Sequence, residues 1–86
     1  MSWRLAWSEE ASERLAKIWQ RSTEKDAISN AVARIDRKLA GDPTELGESR
    51  EHNQRVAFEP PLTLTFFVEP RLSLVTVVWV HLPLSR

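Results

Sequence analysis

The run Leu72-Ser73-Leu74-Val75-Thr76-Val77-Val78-Trp79-Val80-His81-Leu82 decides how this chain folds. Both of its alternating sets are mostly apolar: Leu74, Val78, Val80 and Leu82 on one side, Val75, Val77 and Trp79 on the other. A strand apolar on both faces belongs in the middle of a sheet or under helices. The apolar stretch from Leu72 to Leu84 is interrupted by Ser73, Thr76, His81 and Pro83. It is too short for the ~20 residues that a membrane-spanning helix needs.

Two more apolar runs precede it. Leu62 to Val68 carries the β-formers Thr63, Thr65, Phe66, Phe67 and Val68. Arg55-Val56-Ala57-Phe58 comes before that and is stopped by Glu59-Pro60-Pro61. Prolines remove ladder donors, so Glu59-Pro60-Pro61 and Glu69-Pro70-Arg71 read as turns. Three strands joined by short connections predict an antiparallel meander. The polar stretch Asp42 to Gln54 reads as a loop.

The first half reads as helical. Ser8 is a candidate N-cap, with Glu9 and Glu10 where the helix dipole favours anions. Ala11, Leu15, Ile18, Trp19 and Ser22 form one stripe of a helix over residues 9–22. Thr23 and Asp26 imitate a capping box for a second helix with the stripe Ile28, Ala31, Val32, Ile35 and Leu39. Gly41 is placed to end it as the C′ residue, and Pro43 blocks continuation. The tight connection between the two stripes predicts an antiparallel helical hairpin. Trp3-Arg4-Leu5-Ala6-Trp7 alternates like a short strand with Trp3, Leu5 and Trp7 on one face. The predicted class is therefore α+β, in the order β-α-α-β-β-β, with the helical hairpin packed on one face of the sheet.

Composition narrows the function. Eighty-six residues make one domain, 1–86. Twelve basic and twelve acidic side chains give zero formal charge, against a general salt-driven nucleic-acid binder. With no cysteine, disulfides and Cys-ligated metal sites are excluded. Two histidines 29 positions apart and without an acidic ligand pattern argue against any metal site. Nothing in the sequence calls for a cofactor. The N-terminus lacks a leader-like apolar run, so the cytoplasm is the expected location.

The chain resembles the RelE/ParE family of bacterial toxin–antitoxin toxins. Ala11-Ser12-Glu13-Arg14-Leu15-Ala16-Lys17-Ile18-Trp19 is similar to the family's "A-x-x-x-L-x-x-I-W" opening. Leu39-Ala40-Gly41-Asp42-Pro43 looks like its helix-closing segment, and Leu46-Gly47-Glu48-Ser49-Arg50 like its Gly- and Arg-containing loop. Arg55-Val56-Ala57-Phe58, Thr65-Phe66-Phe67-Val68 and Val75 to His81 resemble its three closing strands. The resemblance implies a small antitoxin as partner. It also implies one of two targets: mRNA cut on the ribosome, or DNA gyrase inhibited without cleavage. A relative with the fold and no toxicity is the remaining alternative.

RNA cleavage needs a base, a cation for the phosphate and an acid for the leaving oxygen. The candidates for these roles are His81, Arg55 and Arg50. RelE-like members carry an Arg three residues before the aromatic of the penultimate strand; here that position is Thr63. Such members often close the last strand with His and Tyr; here the pair is His81 and Leu82. His81 equally reads as a structural end to a buried strand, and the polar cluster Arg50, Glu51, His52 and Arg55 as a loop salt-bridge network. Residues 1–41 hold eight basic and six acidic side chains, and residues 42–86 hold four and six. The sheet half is therefore negative, which repels phosphate.

Overall fold

The computed structural model describes residues 3–49 and 52–83. Strand β1 (Arg4–Trp7) leads into helices α1 (Glu9–Arg21) and α2 (Lys25–Gly41). Four strands follow: β2 (Glu48–Ser49), β3 (Gln54–Glu59), β4 (Leu62–Glu69) and β5 (Leu74–His81). Short 3-10 turns cover Pro43–Glu45 and Pro70–Leu72. The sheet order is β1-β5-β4-β3-β2. β3, β4 and β5 form the expected antiparallel meander. Two features go beyond the expected order. β1 joins the far edge parallel to β5, and Glu48–Ser49, inside the segment read as loop, pairs with β3 as a two-residue strand.

Helix ends follow local chemistry only in part. Ser8 caps α1 as expected, its hydroxyl accepting from the Ala11 N–H at 3.0 Å. The Thr23–Asp26 capping box does not form; Glu24 is the N-cap of α2 and gives no side-chain bond. Gly41 is the last residue of α2 rather than its C′ residue. Asp42 follows as the C-cap, its N–H donating to Lys38 O at 3.2 Å. Its carboxylate then caps the next turn by accepting from the Thr44 N–H at 3.1 Å. Asp42 competes well for that place because short acids cap the turns that follow them.

The core lies between the helices and one face of the sheet. Ala11, Ile28, Ala31, Ile35 and Leu39 meet Ala57, Leu62, Leu64, Phe66, Val68, Val75, Val77 and Val80 there, all buried. Trp3, Leu5 and Trp7 pack against this cluster together, as the alternation of β1 predicts.

The decisive local feature is a bulge in β5. Thr65 pairs with Trp79, yet the next residue, Phe66, pairs with Val77, so Val78 is an extra residue. An inserted residue reverses which side of the strand faces inward. The buried positions accordingly switch from Val75 and Val77 to Val80. His81 would otherwise share a face with Val75 and Val77. The bulge delivers it to the face opposite the helices, beside Thr63.

Candidate functional site

His81, Thr63 and Phe58 form one cross-strand row on the open face of the sheet. Trp79, Thr65 and Val56 form the next row, and Phe67 pairs with Gln54 and Thr76 one row further. Phe58 is 61% exposed and Trp79 39% exposed. None of these residues is a lysine or an arginine. The surface around His81 offers van der Waals contact, ring faces and hydroxyls; among the described residues the cation that borders it is Arg14, whose guanidinium lies 4.1 Å from the Trp79 ring centroid and is committed to Val80 O at 2.6 Å.

Arg55 occupies the other face. It pairs with Phe66, whose side chain is buried among the helices, whereas His81 pairs with Thr63. Thr63 and Phe66 differ by an odd number of positions on β4, so their partners point to opposite sides. The Arg55 guanidinium donates to Leu46 O at 2.8 Å and to Gly47 O at 3.0 Å. It ties the loop after α2 to the sheet. The structure therefore does not bring Arg55 and His81 together. Arg50 lies outside the described residues, as does Glu51. His52 is exposed in a turn, with Asn53, where both have positive φ. Among the described residues no group of three His, Cys, Asp or Glu side chains is placed to hold a metal ion.

Two arrangements were not legible from the sequence. The first is a clamp on the β3–β4 turn. Glu59 is buried, and its carboxylate accepts from Arg34 Nε at 3.1 Å and from Lys38 Nζ at 2.7 Å. Arg34 also donates to Pro60 O at 2.6 Å. Burial pushes the Glu59 carboxyl up, but the hydrogen bonds from Lys38 and Arg34, with their charges, outweigh it and hold the group below its ordinary value. Arg34 and Lys38 stand four apart on α2, the spacing that puts both on one helix face. That spacing was the available signal; their acidic partner, more than twenty residues away, was not.

The second is a groove between α1 and α2, about 410 Å³ in volume. Leu15, Ala16, Trp19, Ile28 and Val32 line it together with Ser12, Gln20 and Ser29. Trp19 belongs to the apolar stripe of α1 but remains 42% exposed. Its Nε1 donates to Ser29 Oγ at 3.3 Å, and Lys25 Nζ lies 5.1 Å from the ring centroid. The ring thus lines the groove rather than folding into the core. Among the described residues no helix is long and apolar enough to cross a membrane.

No protein-family model matches the sequence. No curated protein matches it either. Solved structures do match. A chain of the RelBE2 toxin–antitoxin complex from Mycobacterium tuberculosis superposes with a TM-score of 0.78 at 14% identity, over 96% of this chain and 100% of that one. A chain of the chromosomal ParDE toxin–antitoxin system of P. aeruginosa gives 0.68 at 17% identity, over 93% and 95%. A chain of the intact E. coli RelBE toxin–antitoxin complex gives 0.65 at 15% identity, over 96% and 99%. At such identities the likeness is one of fold. The chain has a RelE/ParE-like fold, as the resemblance of its motifs implied.

Proposed function

We propose that this protein is the toxin-type member of a toxin–antitoxin pair, bound by a small antitoxin, and that it acts on its target by surface contact. The observation that carries the partner is the groove of about 410 Å³ between α1 and α2, with Trp19 42% exposed along it. An apolar groove between two helices, walled by a half-exposed indole, suits the apolar face of an amphipathic segment. The neighbouring folds come from toxin–antitoxin complexes, which supports the same assignment.

Contact is favoured over cleavage by the surroundings of His81. Its row holds Thr63 and Phe58, and the next holds Val56, Thr65 and Trp79. A cleaving site needs a cation aimed at the scissile phosphate. Arg55 would have to leave two backbone carbonyls and cross the sheet to serve as one, and Arg14, at the sheet edge beside Trp79, is committed to Val80 O.

The test is expression in a bacterial host, alone and with any small protein that a neighbouring reading frame encodes. Contact predicts growth arrest that the partner relieves, intact mRNA, and arrest that persists in His81→Ala. Codon-specific mRNA cuts that disappear in His81→Ala would establish cleavage on the ribosome instead. A DNA-damage response with uncut mRNA would point to gyrase as the contacted target. Normal growth without the partner would refute the toxin role.

A further inference from the structure

We propose that Arg14 closes a self-association edge on β5, and that the partner it excludes is a second copy of this chain. β1 pairs with β5 only over Leu74 to Val77. The Ser8 N–H donates to Val77 O at 2.9 Å, and the chain then turns into α1. Among the described residues, Val78 to His81 have no strand neighbour on that side. An unpaired strand edge is a template for an added strand.

Arg14 sits over this edge. Its Nε donates to Val80 O at 2.6 Å, and its guanidinium carbon lies 4.1 Å from the centroid of the Trp79 ring. One side chain thereby occupies a carbonyl that an added strand would need. The cation–π contact holds the indole alongside it. The bulge at Val78 helps, because an extra residue breaks the even spacing of the ladder.

The second copy is indicated by the chemistry of the edge itself. Leu74-Val75-Thr76-Val77-Val78-Trp79-Val80-His81-Leu82 contains no formal charge, no Pro and no Gly. Segments of high β-propensity and low charge pair with identical segments, because no like charges meet when two copies run antiparallel. A cationic side chain across such an edge is the usual way of keeping it apart. This inference goes beyond the binding role proposed above and does not depend on it.

The test is sedimentation velocity of the full chain over a concentration series, with circular dichroism on each sample to establish the folded fraction. Four proteins are compared: the parent, Arg14→Ala, Arg14→Ala with Val78→Lys, and Glu59→Gln. Glu59→Gln loses a clamp on β3, two strands away from β5, and controls for lowered stability. The parent should be monomeric. Arg14→Ala should dimerise at concentrations lower by about tenfold or more, the equivalent of one hydrogen bond. Val78→Lys should reverse that, and Glu59→Gln should stay monomeric. If Arg14→Ala does not fold, Arg14→Gln, which keeps the aliphatic stem, takes its place. A folded Arg14 variant that stays monomeric overturns the proposal. So does association that matches Glu59→Gln, or that ignores Val78→Lys.

Discussion

The carboxylate of Glu59 sets a sharp test of what holds the sheet to the helices. Both of its oxygens are engaged, by Arg34 at 3.1 Å and Lys38 at 2.7 Å, and its side chain is 6% exposed. Hydrogen bonds to a charged group contribute ~1.5–3 kcal/mol each when removed singly. The two cations are 35% and 46% exposed, so they rehydrate when released and the loss is discounted. Glu59→Gln is therefore expected to cost about 1.5–3 kcal/mol in all, from a total of ~4–13 kcal/mol for a chain of this size. Replacing both cations, Arg34→Met with Lys38→Met, should cost more, about 3–5 kcal/mol at pH 7, because it strands a buried charge.

The sign of the pH response separates these cases. In the parent the folded carboxyl lies below its unfolded value. Its contribution is complete above the unfolded pKa of about 4.3 and is lost as pH falls through the lower folded value. In the double variant only burial acts, which raises the folded pKa. That protein should gain stability on acidification toward pH 4, where the parent loses it. Glu59→Gln should show neither slope from this site. Urea unfolding followed by tryptophan fluorescence from pH 3 to pH 7 reads all three. Equal stability of Glu59→Gln and parent at pH 7, or a double variant that weakens with acid as the parent does, would refute the reasoning.

Two further predictions test the loop that Arg55 holds. Gly47 has φ +73°, and a Cβ there would meet the Val56 carbonyl oxygen and lie 2.8 Å from Ala57 Cβ. Gly47→Ala should cost roughly 2–4 kcal/mol from backbone strain and overpacking together, seen as a lower urea midpoint. Arg55→Lys keeps the charge but not the fork that reaches Leu46 O and Gly47 O. It should cost about 1–2 kcal/mol and raise amide exchange across residues 43–49 in hydrogen-exchange mass spectrometry.

The helices were legible because their signals are local. The stripe Ile28, Ala31, Ile35 and Leu39 is buried as its spacing requires, and Ser8 caps where its hydroxyl reaches the first turn. Trp19 was the exception within that pattern. Spacing assigns a residue to a face, but coverage of that face depends on how far the second helix extends over it. The sites were less legible. His81 could be assigned to a side only once the bulge was known, since both sides of Leu74 to Leu82 are apolar and either register satisfies the pattern. Arg55 reads in sequence as a free cation, and its commitment to two loop carbonyls depends on where residues 46 and 47 come to rest.

By itself the sequence determined the kind and order of both α-helices and of every strand but β2, the boundaries set by Pro60, Pro61 and Pro70, and the α+β class. Each of these rests on side-chain periodicity or backbone chemistry within a few residues. Tertiary structure decided the parallel seat of β1, the reversal at Val78, the Glu59 clamp and the seat of Arg14 on Val80. These are choices between partners far apart in the chain. They are fixed by which polar groups must be satisfied once the core closes, and no local pattern records that outcome.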